Sequence, residues 1–141
     1  MILIVRDVKR GKLYAVQVHL YRIAVYSWLV DAPEITVLQV PKFKAEATVL
    51  IGESGIEALA VYLIDHPDAG EVIPGAGGLR KLRWAAKGKG KRGGARIIYV
   101  YVATAARVYL LSCYAKNVKT DLTTDEKKEL RRIAAHLRGV Q

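Results

Sequence analysis

Eleven cationic side chains fall between residues 72 and 120: Arg80, Lys81, Arg83, Lys87, Lys89, Lys91, Arg92, Arg96, Arg107, Lys116 and Lys119. The same stretch holds no aspartate or glutamate. An ordinary solvated surface intersperses both signs, so a single-sign run this long points to phosphate groups as its counterpart. The whole chain agrees, with a net charge of +10 over 141 residues and a pI near 9.8. A polyanionic partner is implied: RNA, DNA or an anionic membrane.

The usual catalytic sets are missing. No Ser/His/Asp arrangement stands out, and the lone Cys113 has no histidine nearby and sits in an apolar run, where it reads as a small core residue. His19, His66 and His136 lie far apart, and there is no HxxxH or CxxC spacing, so neither a metal nor another cofactor is implied. Residues 88–93, GKGKRG, spell a G-x-G-x-x-G. A strand-like segment follows them where a dinucleotide site needs a helix, so they read as a charged, bendable hairpin loop. If chemistry is done here, cations do it, and RNA cleavage is the reaction that allows this. The 2′-hydroxyl is the nucleophile, an arginine fork suits the phosphorane, and a lysine crowded by other cations is easier to deprotonate. Phosphate binding without chemistry is the simpler alternative, and composition by itself favours it.

These side chains need a scaffold that brings them together. Alternation along 79–86 puts Lys81 and Arg83 on one face of a strand and Arg80, Leu82 and Trp84 on the other. Residues 95–103 and 107–115 read as two further strands, with Arg96 early on the first and Lys116 just past the second. The connections are too short for crossover helices, so these three strands are expected to be antiparallel. Tyr99, Tyr101 and Tyr109 read as sheet packing, and Tyr114 as the candidate for stacking on a base. Upstream, 36–40 reads as a short strand. Pro41 then opens a helix with Phe43, Ala47, Leu50 and Ile51 at helical spacing, which Gly52 stops. Ser54 and Glu57 stand in capping-box spacing for a second helix that ends at His66-Pro67. Thr123 and Glu126 repeat that spacing before a last helix with Leu130, Ile133, Ala134 and Leu137 as its apolar stripe. The order is α+β. Before it, residues 2–5 and 16–20 suggest a hairpin around a turn at 9–12. Residues 13–30 are apolar, but Gln17, His19 and Arg22 near their centre argue against a membrane span. A single cysteine fits a reducing compartment, and a cytoplasmic protein is expected.

Three linked segments resemble HigB-like toxins of the RelE/ParE toxin superfamily, in type II toxin–antitoxin systems. They are residues 70–85 (GEVIPGAGGLRKLRWA), 87–99 (KGKGKRGGARIIY) and 109–117 (YLLSCYAKN) with 121–123 (DLT). The resemblance covers roughly residues 36–138 and leaves 1–35 as an atypical extension, either an extra hairpin or a mis-assigned start, before a toxin domain at 36–141. It implies a compact RelE-like fold, two N-terminal helices packed on an antiparallel sheet with a C-terminal helix. It implies a metal-independent, ribosome-dependent mRNA endoribonuclease that enters the A site. It also implies a helix-turn-helix antitoxin as partner, with DNA reached only through that antitoxin. By position, Lys81 falls on a base-like lysine, Arg83 and Arg96 on phosphate-contacting arginines, and Lys116 on a cation that supports the leaving group. Leu79 stands where the family's namesake has a lysine, and its late tyrosine has no counterpart. Lys87, Lys89, Lys91, Arg92, Tyr114, Asn117 and Lys119 are the expected RNA contacts. The competing reading is a non-catalytic relic that binds nucleic acid as co-repressor with its antitoxin.

Overall fold

The computed structural model describes residues 2–7, 12–17, 35–88 and 94–139, with side chains from residue 35 onward. Seven strands form one sheet in the order β2-β1-β3-β7-β6-β5-β4. They are β1 (Ile2–Asp7), β2 (Lys12–Gln17), β3 (Thr36–Gln39), β4 (Glu71–Val72), β5 (Leu79–Trp84), β6 (Ala95–Val102) and β7 (Arg107–Ala115). Among the described residues the α-helices are α1 (Pro41–Leu50), α2 (Gly52–Asp65) and α3 (Thr124–Gly139). No single helix among the described residues is long and apolar enough to cross a membrane.

The architecture is the expected α+β one, with the two helices, the sheet and the C-terminal helix in sequence order. β4 to β7 pair antiparallel throughout. The sheet as a whole is mixed, because β3 lies parallel to β7. That follows from the connection: α1 and α2 bring the chain to β4, which runs against β3, so β5 and β7 run with it. β1 and β2 pair with each other antiparallel, and β1 also pairs with β3. The expected turn at 9–12 and most of the apolar segment at 13–30 lie outside the described residues.

α1 and α2 cover one face of the sheet. Phe43, Ala47, Leu59 and Leu63 meet Ile97, Tyr99, Val108 and Leu110 in a core from which water is excluded. α3 covers part of the other face, setting Leu130 and Ala134 against Leu79, Ile98, Val100 and Leu111. Each strand of the centre therefore buries apolar groups on both sides, which is why β6 reads as a nearly unbroken apolar run. Cys113 is buried in the first core. Burial, with Glu46 adding to it, pushes its thiol up to about 12, the behaviour of an inert core thiol.

The local signals worked unevenly. Thr123 and Glu126 do form a capping box: the Thr123 N–H donates to Glu126 Oε2 at 2.8 Å and the Glu126 N–H donates to Thr123 Oγ1 at 3.2 Å. The Ser54/Glu57 pair does not cap α2, whose N-terminus carries no side-chain cap. The helix starts earlier, at Gly52. This residue has φ +74°, so the chain turns by 117° between α1 and α2 without a loop in which a cap could sit. β5 ends at Trp84, short of the expected 86, and the two-residue β4 is too brief to show a period.

Candidate active site: a cationic cleft on one face of the sheet

Strand register assembles the site. On β5 and β6, Arg83 lies opposite Arg96 and Lys81 opposite Ile98. On β6 and β7, Arg96 lies opposite Tyr114. Arg83, Arg96 and Tyr114 thus form one cross-strand row on the face that α3 partly covers. Tyr114 reaches this row through an irregularity. Ile98 pairs with Ser112 but Tyr99 pairs with Leu110, so Leu111 is an extra residue in β7. Leu110 and Cys113 consequently share the α1/α2 core, while Leu111 and Tyr114 share the other. A β-bulge of this kind flips the alternation beyond it. The register then carries on past the strand, where the Lys116 N–H donates to Gly94 O at 3.2 Å, holding Lys116 beside the start of β6.

A cleft of about 430 Å³ opens on this row, lined by Ala69, Glu71, Lys81, Leu82, Arg83, Arg96, Lys116 and Thr120. All four cations expected at the reacting phosphate line it. Arg96 is 4% exposed, and its one hydrogen bond among the described residues runs from NH1 to Ala95 O at 3.4 Å. Among those residues none of Arg83, Arg96 and Lys116 has a carboxylate within ion-pair distance. No nitrogen of its fork is among the buried, unpartnered atoms of the described residues, so its free donors reach the cleft, where an anion can meet them.

The wall opposite is held by residues that sequence reasoning did not single out. The Tyr99 hydroxyl donates to Pro67 O at 2.9 Å and accepts from the Gly70 N–H at 2.8 Å. Across from it, Arg80 NH1 donates to Asp68 O at 3.0 Å and Gly70 O at 2.8 Å. Gly70 has no room for a side chain, because a Cβ there would stand 2.8 Å from the Tyr99 ring. These contacts pin the turn that carries Ala69 and Glu71 to the sheet. Burial raises the Tyr99 phenol above its ordinary range, with the Gly70 and Arg80 contacts opposing it.

Two expectations about the site need correction. The cleft is not free of carboxylates. Glu71 on β4 lies opposite Lys81, and Asp121 Oδ1 stands 3.6 Å from Lys81 Nζ, while its other oxygen is 3.8 Å from Lys127 Nζ. These acids flank the acid-free stretch at its two ends, and folding brings both ends to the same lysine. Lys81 is therefore not surrounded by cations alone, as the deprotonation argument required. The Leu122 N–H, donating to Asp121 at 2.8 Å, and then Lys81 and Lys127 hold the Asp121 carboxyl below its usual range.

The second correction concerns Tyr114. It is 5% exposed, and Lys119 Nζ lies 4.9 Å from its ring centroid, so the ring is not open to a base. Its hydroxyl is buried without a partner among the described residues. Burial, with smaller contributions from Asp121 and Glu126 and an opposing one from Arg96, pushes the phenol up to about 12. Lys119 is itself engaged by Glu126, so it is not a free phosphate contact in this arrangement. Asn117 is exposed on the turn after Lys116. Lys87 is exposed but anchored, its N–H donating to Leu50 O at 3.0 Å. Lys89, Lys91 and Arg92 lie outside the described residues.

Fold and cleft together define a small α+β domain built to present cations on one sheet face. Residues 70–141 match the model of the family described as RelE toxin of RelE / RelB toxin-antitoxin system. The match spans half of the chain and takes in β4 to β7 and α3, with all four cations of the cleft. The chain belongs to this toxin family.

Proposed function

We propose that this toxin is a HigB-like endoribonuclease that cuts mRNA on the ribosome without a metal ion, and that a helix-turn-helix antitoxin neutralises it. One observation carries this reading: four cations converge on one cleft, and the most buried of them, Arg96, has no carboxylate partner among the described residues. A phosphate in the cleft supplies the missing counter-charge. In the proposed reaction the RNA 2′-hydroxyl loses its proton and attacks the adjacent phosphorus. The bond to the 5′-oxygen breaks, and that oxygen is protonated as it leaves, giving a 2′,3′-cyclic phosphate and a 5′-hydroxyl. Arg96 and Arg83 donate to the phosphorane oxygens, where charge develops. Lys81 in its uncharged form takes the 2′-hydroxyl proton, and the Lys116 ammonium gives one to the departing 5′-oxygen. Asp121 and Glu71 beside Lys81 hold its side chain in place.

In this reading residues 36–141 are the toxin domain and 1–35 an addition to it. The test is induction of the chain in bacteria, followed by mapping of mRNA 5′ ends. Growth arrest with cuts confined to translated mRNA is expected, insensitive to EDTA when the ribosomes stay intact. Arg96→Ala and Lys81→Ala should abolish the cuts while ribosome binding persists. Efficient cleavage of naked RNA, or of ribosomal mRNA by the Arg96→Ala chain, would overturn the reading.

A further inference from the structure

A second feature lies round the edge of the sheet from the cleft. Tyr62 on α2 packs against His66 with ring centroids 5.0 Å apart and against Trp84 on β5 at 5.6 Å. The interplanar angles of 42° and 51° mean that no ring lies flat upon another. Trp84 leans on the α1/α2 core, whereas Tyr62 is 38% exposed, one of few large apolar side chains among the described residues left open to solvent. A tyrosine braced from beneath and open above is a stacking platform.

Its position ties it to the cleft. β4 pairs only with Arg80 and Lys81, so among the described residues the outer edge of β5 is unpaired from Leu82 to Trp84. Neighbours on a strand point to opposite faces. Arg83 therefore faces the cleft and Trp84 faces the rings, on either side of one exposed edge. The cleft itself turns this corner: Leu82, which packs toward the α1/α2 core, also lines it. So does Ala69, whose N–H donates to His66 O at 3.2 Å.

We infer that single-stranded RNA held by its phosphate in the cleft crosses the edge of β5 at Arg83 and stacks a neighbouring base on Tyr62, with His66 beside it and Trp84 as the brace. The inference rests on the RNA-cleaving reading and extends it to a nucleotide outside the reacting phosphate. Arg83 on one side and the exposed Lys87 beyond Trp84 bring positive charge to the edge, against the exposed Asp65 and Asp68 on either side of His66. Stacking of this kind is indifferent to base identity, because every base offers a π-face.

Trp84 also reports on the site. The chain has two tryptophans, Trp28 and Trp84, so a Trp28→Phe protein emits from Trp84 alone. A short single-stranded RNA titrated into that protein at low ionic strength should change the Trp84 emission. Tyr62→Ala should weaken binding about tenfold or more, and Tyr62→Phe, which keeps the ring, should restore it. Arg96→Ala should also weaken binding but leave the emission change at saturation. If Arg96→Ala weakens binding while Tyr62→Ala does not, the stacking site is wrong and the cleavage reading stands. If the wild-type chain binds no RNA, the stacking site falls, and the cleavage reading is decided separately by the mapped cuts in translated mRNA. If Tyr62→Ala spares RNA binding and instead costs affinity for the antitoxin, the rings serve a protein and the inference is overturned.

Discussion

Replacing Arg96 with methionine should stabilise the protein while removing its affinity for phosphate. Arg96 is 4% exposed, and its one hydrogen bond, to a backbone carbonyl at 3.4 Å, is at the long end of the range. No carboxylate among the described residues offsets its charge, although Ile98 and other apolar groups lie on the same face of the sheet. Methionine has a similar reach, and its flexible, apolar chain fills irregular space. Exchanging even paired buried charges for apolar groups is commonly neutral or stabilising by about 1–4 kcal/mol. A gain of about 1–3 kcal/mol is expected here, or roughly 4 °C in Tm for each kcal/mol in a domain of this size. Phosphate should close the gap from the other side. At ten times its Kd an anion that binds only the folded state adds about 1.4 kcal/mol to the wild type and nothing to the variant. The assay is thermal unfolding of both proteins in chloride and in phosphate at equal ionic strength. A variant less stable than wild type in chloride, or an equal phosphate effect on both, would refute the claim that Arg96 is a buried cation awaiting an anion.

Four further outcomes are expected. Stability should fall from about pH 9 toward 12, because burial raises the Cys113 thiol from 9.0 and the Tyr114 phenol from 10.0, each to about 12: below the unfolded values both states are protonated, and above them only the unfolded chain ionises freely. Tyr114→Phe should flatten the part of that decline above about pH 10 in pH-resolved denaturant titrations. Thr123→Ala should cost about 1 kcal/mol by breaking the reciprocal cap of α3. Acid should loosen the same helix end, as Asp121 and Glu126, both held below the ordinary carboxylate range, take up protons and lose their lysine partners; amide exchange along 121–127 reads both effects. Neutralising Lys89, Lys91 and Arg92 should lower the salt dependence of ribosome binding by about 0.7 per lost phosphate contact and leave single-turnover cleavage on saturated ribosomes unchanged, since a loop cation docks but does not hold catalytic tolerance.

The strands carrying the site were legible because alternation is a local property: Lys81 and Arg83 against Leu82 and Trp84 needed only their own spacing. The convergence of Arg96 and Lys116 with them followed from short connections that force antiparallel pairing. What escaped depends on contacts between distant residues. The bulge at Leu111 leaves no mark in composition, and without it Tyr114 would face the α1/α2 core. Asp121 and Glu71 lie just outside the acid-free window, and a window drawn along the chain cannot show that its two ends meet at Lys81. The parallel pairing of β3 with β7 was hidden for the same reason. The Tyr62 rings went unread because their partner, Trp84, is on another element.

That parallel pairing also governs how the protein is made. The centre of the sheet joins Thr36–Gln39 to residues roughly seventy positions later, and closing so long a loop costs entropy before any contact repays it. Topologies of this kind fold slowly for their size. The first helices emerge during synthesis with nothing to cover, since the sheet face that buries Phe43 and Leu59 is supplied by β6 and β7. The cleft is completed later still, by Lys116 and Thr120. The nascent chain therefore carries no assembled site until Thr120 has been translated, and the interval before β3 finds β7 is when it is most exposed to aggregation and proteolysis.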